Sequence, residues 1–158
     1  MKTNEICDHG WIPAANGQVP RRLRRTVIKE ELVAVTGDPM SAAVLNYFIE
    51  CTEYARRIDE HIEAEKSLLN EWAREDFCIE PTEGWVRRGA KDLARDLMIG
   101  SDRTTRSYAA TCIRLGLIEE RRNPHNKFDG TKQYRVDFDE LRRQLRVKGF
   151  VLGDYAAG

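Results

Sequence analysis

The stretch SDRTTRSYAATCIRLGLIEERR, residues 101–122, decides how this chain folds. Ser101 is a typical helix N-cap residue, and the sequence after it has helical spacing up to about Leu115. Gly116 is a typical residue at a helix end. Leu117 and Ile118 then start an apolar run that predicts a strand through Arg122. The stretch therefore predicts a helix that leads directly into a strand.

A shorter helix is predicted immediately upstream, from Ala90 to Met98, followed by a turn at Gly100. Two helices joined by a turn of a few residues with glycine form a helix-turn-helix. The residues before the first of these helices, Trp85–Arg88, are a candidate short strand.

The sequence after residue 122 predicts a hairpin and one more helix. Residues 123–131, NPHNKFDGT, are rich in turn formers, and Lys132–Val136 is the predicted returning strand. Phe138 to Val147 has helical spacing, with Asp137 or Asp139 as its cap.

The predicted helix that begins at Ser101 has two different sides. Its buried side is marked by Tyr108, Ala109, Cys112, Ile113 and Leu115, and its exposed side carries Arg103, Arg106, Ser107, Ala110 and Arg114. Small side chains let a helix enter the major groove of DNA, and guanidinium groups bind guanine edges or phosphates. This side, with Thr104, is the predicted DNA-reading surface. On the hairpin, the cations placed to contact phosphates or the minor groove are Arg121, Arg122, Lys127 and Lys132.

Charge is distributed unevenly along a chain whose formal net charge is zero. Residues 1–80 carry 10 Lys and Arg against 15 Asp and Glu, whereas residues 81–158 carry 16 against 11. Between Gly84 and Val136 there are 12 basic and 6 acidic residues. A basic region on an acidic remainder is typical of a local surface that faces phosphates.

Residues 101–121, together with Tyr134–Asp137, resemble the bacterial winged helix-turn-helix pattern. The layout as a whole resembles winged-helix proteins of bacterial plasmids, phages and integrated elements, which are replication-initiator-like or regulator-like. The resemblance implies that Arg103, Thr104, Arg106 and Ser107 read bases and that Arg121, Arg122 and Lys127 hold phosphates. Thr105 and Ala109 are small for the buried positions of such a helix. We therefore expect Tyr108 to fill the space beneath it, which would turn the reading face slightly.

The first half of the chain predicts helices. One spans Val27 to Val35 and stops at Gly37, and a second starts at Asp38-Pro39 as a core helix. A highly charged continuation retains a narrow apolar stripe on one long helix or two successive ones, namely Ile58, Ile62, Leu68, Leu69 and Trp72. Such a stripe indicates either pairing of two chains in a homodimer or packing on the chain's own winged domain.

The expected fold class is mainly α with a small β-hairpin (α+β), as a winged helix-turn-helix with an N-terminal helical extension. The expected segments are an arm over residues 1–26, a helical segment over 27–80, the winged module over 81–148 and a tail over 149–158. Four of the five residues 21–25 are arginines, which indicates either a phosphate-contacting arm or a solvated one.

The sequence lacks the residue patterns that several classes of function require. The four cysteines are scattered without metal or redox spacing, and Cys7 with His9 is at most half a zinc site, so we expect no metal and no cofactor. The sequence has no phosphate-binding glycine loop, nucleophile elbow or zinc-binding helix motif, which argues against an enzyme.

With no apolar run of membrane-spanning length, a cytoplasmic protein is expected. The main expected partner is double-stranded DNA; the alternative is a winged-helix adaptor that binds proteins.

Overall fold

The computed structural model describes residues 26–75, 77–126 and 128–151. The helices in these ranges are α1 (Glu30–Thr36), α2 (Pro39–Leu68), α3 (Glu71–Glu75), α4 (Ala90–Leu97), α5 (Asp102–Arg114) and α6 (Phe138–Val147). The strands are β1 (Val86–Arg87), β2 (Ile118–Arg122) and β3 (Lys132–Val136). The predicted arm, residues 1–26, lies outside the described residues except for Thr26, and so do residues 152–158 of the predicted tail.

The described residues are mainly helical, at 59% helix, with one small antiparallel sheet, which confirms the predicted α+β class. The strand order is β1-β3-β2. The hairpin register pairs Ile118 with Val136 and Arg122 with Lys132. Strand β1 adds a third strand to the predicted hairpin by pairing Val86 with Tyr134.

Capping residues set the helix ends where the sequence predicted them. Asp38 accepts a hydrogen bond from the Ser41 N–H at 2.7 Å and starts α2, with Pro39 in its first turn. Asp137 accepts from the N–H groups of Asp139 and Glu140 and starts α6. Gly37 ends α1 in the left-handed conformation, with φ of 75°. Helix α1 itself starts later than predicted, at Glu30, because Lys29 is extended.

Helix α2 is one continuous helix of 30 residues. Its first half is the central element of the core, with Leu45 and Phe48 fully buried, whereas from Arg56 onward most of its residues are exposed. Asn70 follows its end and caps the short α3 by accepting from the Ala73 N–H at 2.9 Å.

One hydrophobic core includes residues from both sides of residue 81. It joins Leu32 of α1, Phe48 of α2, Leu93 of α4, Ile118 of β2 and Leu141 of α6. The first half of α2 and the predicted winged module therefore fold around the same core.

The segment before β1 is hydrogen-bonded to the second half of α2. The Asp59 carboxylate accepts hydrogen bonds from the Thr82 N–H at 2.5 Å, the Thr82 hydroxyl at 3.0 Å and the Gly84 N–H at 3.2 Å. Gly84 has φ of 75°, and a Cβ there would lie 3.4 Å from side-chain atoms of Thr52 and Arg56. These contacts fix where the chain enters the sheet.

Small residues bring α5 close to α2. Thr105, Ala109 and Cys112 are buried, and the Cys112 thiol donates to the Ser41 carbonyl of α2 at 3.4 Å. Tyr108 is only half-buried. The expectation that Tyr108 replaces Thr105 and Ala109 beneath the helix is therefore wrong. Close helix packing fills that space, and the exposed face keeps the orientation that the spacing predicted.

No single helix of the described ranges is long and apolar enough to cross a membrane. Among the described helices, only α1 and α2 taken together have the length and apolar composition of a membrane span, and the two helices are bent by 113° relative to each other.

Candidate nucleic-acid interface

Helix α5 presents one continuous polar face to solvent. The exposed residues on this face are Arg103, Thr104, Arg106, Ser107, Ala110 and Arg114. Arg103, Ser107, Ala110 and Arg114 recur at intervals of three and four, so they form one stripe along the helix. The centre of the stripe consists of small side chains, and a guanidinium lies at each end.

The arginines of this face form no hydrogen bond that holds the described part of the fold together. In the described part of the chain, Arg103, Arg106 and Arg114 make no hydrogen bond or salt bridge. Thr104 is different, because its N–H and hydroxyl both contact the Ser101 hydroxyl, at 3.3 and 3.0 Å. Thr104 thus takes part in the helix cap, which orients the first turn of α5.

The hairpin turns one face toward α5 and the other face away. Arg122 and Lys132 are register partners on the same face as Tyr134. The Lys132 ammonium pairs with Glu120 at 2.6 Å, whereas the exposed Arg122 has no ion-pair or hydrogen-bond partner among the described residues.

A basic cleft of about 450 Å³ lies between the start of α4, helix α5 and strand β3. Its lining includes the cations Arg88, Arg106 and Lys132, together with Tyr134. The pKa of Tyr134 is raised to about 12, mainly by burial and further by Glu120, while Arg106 opposes the rise. The phenol is therefore neutral at physiological pH, and the charged side chains that line the cleft are the three cations, of which Lys132 is paired with Glu120.

Arg121 lies on the opposite face of the hairpin from Lys132. Its guanidinium stacks over the Trp85 ring at 4.0 Å and donates to Gln133 at 2.8 Å. Arg135 contacts the same ring at 4.6 Å and pairs with Glu119 at 2.8 Å. The structure therefore places Arg121 in a stacked group on the outer side of the sheet, apart from the cleft.

Arg88 was not among the predicted site residues, and a chain of contacts positions it. Its Nε donates to the Tyr47 hydroxyl at 2.8 Å, and that hydroxyl donates to Asp96 at 2.9 Å. Burial raises the pKa of Tyr47. The chain of contacts joins α2, the start of α4 and its last turn, and so holds α4 beside the cleft.

The structure thus brings Arg106 and Lys132 together at the cleft and aligns Arg103, Ser107 and Arg114 along α5. Lys127 lies outside the described residues. No group of three His, Cys, Asp or Glu side chains positioned to hold a metal occurs within the described ranges. Comparisons of the chain with protein-family models, with curated proteins and with solved structures found no match.

Proposed function

We propose that this chain is a winged helix-turn-helix protein that binds double-stranded DNA. Helices α4 and α5 are the helix-turn-helix, α5 is the recognition helix, and β2 with β3 is the wing. The observation that carries the proposal is the exposed face of α5, where arginines with no hydrogen-bond or ion-pair partner among the described residues flank Ser107 and Ala110.

The shape of this face suits the major groove. With a rise of about 1.5 Å per residue, the stripe from Arg103 to Arg114 is roughly 16 Å long. Small residues at its centre allow close approach to base edges, and the arginines at its ends are free to bind guanine or phosphates. Ser107 and Arg106 lie one turn into the helix, where direct base contacts are usual.

The basic cleft beside α5 supplies the second part of the interface. A phosphate that enters it would meet Arg88 and Lys132, while Arg106, which also lines the cleft, is on the exposed face of α5 that we propose reaches base edges. Because backbone contacts fix orientation while base contacts fix sequence, the cleft is the element that sets how α5 lies on the duplex. Arg122 extends this basic surface along the wing.

The biological role that we propose is replication or maintenance of a mobile element, or transcriptional regulation, and it rests on the resemblance of residues 101–121 and 134–137 to such proteins. We also propose a cytoplasmic location, no enzymatic activity and a homodimer formed through the second half of α2.

A protein-binding adaptor is the second candidate function. The observation in its favour is the set of exposed apolar side chains on and beside the second half of α2, where Tyr54 is 62%, Leu68 86% and Ile79 54% exposed. Binding through these residues would depend little on salt, whereas DNA binding weakens steeply as salt rises.

Substitution of one cation on each of two helices tests the proposal. Arg103→Gln should lower affinity for a fluorescein-labelled duplex in anisotropy titrations and reduce the salt slope by about 0.9, as expected for one phosphate. Arg57→Gln is the matched control, since Arg57 is an exposed helical arginine on α2 without a partner among the described residues. Equal effects of the two substitutions would contradict a specific role for α5.

A further inference from the structure

The loop of the β2–β3 hairpin exposes an aromatic side chain completely. Phe128 is 99% exposed. Covering a phenylalanine side chain contributes roughly 1.5–3 kcal/mol, and Phe128 contributes none of this to the fold. The ring is therefore available to an external partner.

The loop that carries Phe128 is held in shape by its own side chains. Three short polar residues each accept a hydrogen bond from the N–H two positions later, at 3.0 Å in each case: Asn123 from His125, Asn126 from Phe128, and Asp129 from Thr131. Such Asx turns fix local backbone direction. The backbone of Phe128 is therefore fixed directly by one of them.

Two further contacts fasten the loop to the sheet. Asn123 donates to the Asp129 carboxylate at 3.3 Å, which joins the two ends of the loop. Arg87 of β1 pairs with the same carboxylate at 3.1 Å. A tip braced in this way loses less conformational entropy on binding than a loose loop would.

The charges around the hairpin identify the kind of partner. Arg122 and Lys132 are register partners at the base of the loop, and Lys132, which is paired with Glu120, lines the basic cleft with Arg106. A partner that suits these cations and one flat apolar ring must combine anionic groups with apolar planes. The stacked bases of duplex DNA between two phosphate backbones have this combination.

We infer that Phe128 inserts between two adjacent base pairs from the minor groove and bends the duplex. The inference rests on the proposed function, because α5 in the major groove directs the neighbouring hairpin toward the adjacent minor groove. Apolar wedges of this kind partly unstack a base step and kink the duplex by about 20–90°.

The test uses a duplex recovered from a random pool by the wild-type chain, labelled at its two ends with a donor and an acceptor dye. Wild-type protein should raise energy transfer between the ends. Phe128→Ala should abolish the rise and weaken binding about tenfold, and Phe128→Leu should retain most of the bend. Val147→Ala, which trims another exposed apolar side chain (74% exposed), should match the wild type. Unchanged melting temperatures establish that each variant is folded.

Three results would overturn the inference. If Phe128→Ala binds and bends the duplex like the wild type, the wedge is wrong while DNA binding stands. If the wild type recovers no duplex at all, both the inference and the proposed function fail. If Phe128 is instead required for sedimentation with vesicles of mixed phosphatidylcholine and phosphatidylserine, and energy transfer does not depend on it, the ring serves a lipid surface.

Discussion

Two buried threonines with the same exposure have opposite hydrogen-bonding states. Thr105 of α5 and Thr52 of α2 are both fully buried. The Thr105 hydroxyl has no hydrogen-bond partner among the described residues, whereas the Thr52 hydroxyl accepts from the Val136 N–H at 3.3 Å. Strand β1 is only two residues long and begins at Val86, opposite Tyr134, so it does not reach Val136, and Thr52 supplies the acceptor that a longer strand would have supplied.

We therefore expect the same substitution to have opposite effects at these two positions. Thr105→Val removes an unsatisfied buried hydroxyl and should raise the free energy of unfolding by about 1 kcal/mol. Thr52→Val leaves a strand N–H without an acceptor and should lower it by about 1–3 kcal/mol. Urea unfolding monitored by circular dichroism measures both values. A loss of stability in Thr105→Val would contradict the account of that hydroxyl.

The Asp129 carboxylate in the hairpin loop should remain ionised at a lower pH than an ordinary aspartate does. The Thr131 N–H is the main cause that lowers the pKa of Asp129 to about 2, and the Thr131 hydroxyl, Asn123 and Arg87 lower it further. Because the pKa of Asp129 is lower in the folded state, its ionised carboxylate stabilises the fold fully at pH values above the unfolded pKa, which is near 4. This stabilisation is lost as the pH falls through about 2. Carboxyl-carbon NMR of the folded chain should give this low value, and an ordinary Asp pKa would show that the brace is absent.

Helix α5 and the hairpin should contribute differently to DNA binding. Arg106→Ala removes a group placed to reach base edges, and it should cost roughly 1–3 kcal/mol on a preferred duplex and relax the preference at one position. Arg122→Ala removes a charge from the wing, and it should weaken binding to all sequences equally and reduce the salt slope by about 0.9. Affinities for a preferred and a scrambled duplex at two salt concentrations separate the two effects. If Arg106→Ala leaves both affinities unchanged, α5 is not the reading helix.

The sequence predicted the helices and strands well where local chemistry determines them. Ser101, Asp137 and Gly37 are caps whose effect depends only on the next few residues, and the two hairpin strands follow from their patterns. The start of α1 was predicted three residues early, because Val27 and Ile28 continue an apolar pattern in a segment that is extended.

The contacts that complete the site could not be predicted, because their partners are far apart in sequence. Trp85 meets Arg121 and Arg135 only after the sheet has formed, and Arg88 meets Tyr47, 41 positions away, only after α2 packs on the module. No local pattern marks such pairs. The local pattern predicts only a short strand at Trp85, although an aromatic residue beside strands rich in arginine is a signal for cation–π stacking.

The chain as a whole should form a dimer through the second half of α2. Ile58 remains 37% exposed, and Ile62 and Leu69 are half-buried. A two-fold pair would match a palindromic duplex. Sedimentation velocity at tens of micromolar should show a dimer that Ile58→Asp converts to monomer, with Arg57→Gln as a control of similar position. A wild-type chain that is monomeric both with and without DNA would exclude this assembly.

The salt dependence of duplex affinity tests the central claim most directly. Arg103, Arg106, Arg114 and Arg122 form no ion pair within the described part of the chain, so each is available to a phosphate or base. If most of them neutralise phosphates, the slope of log affinity against log salt should be about −3. We expect anisotropy titrations of a labelled duplex at increasing potassium chloride concentration to give such a slope. Absence of duplex binding at low salt, or a slope near zero, would contradict the account.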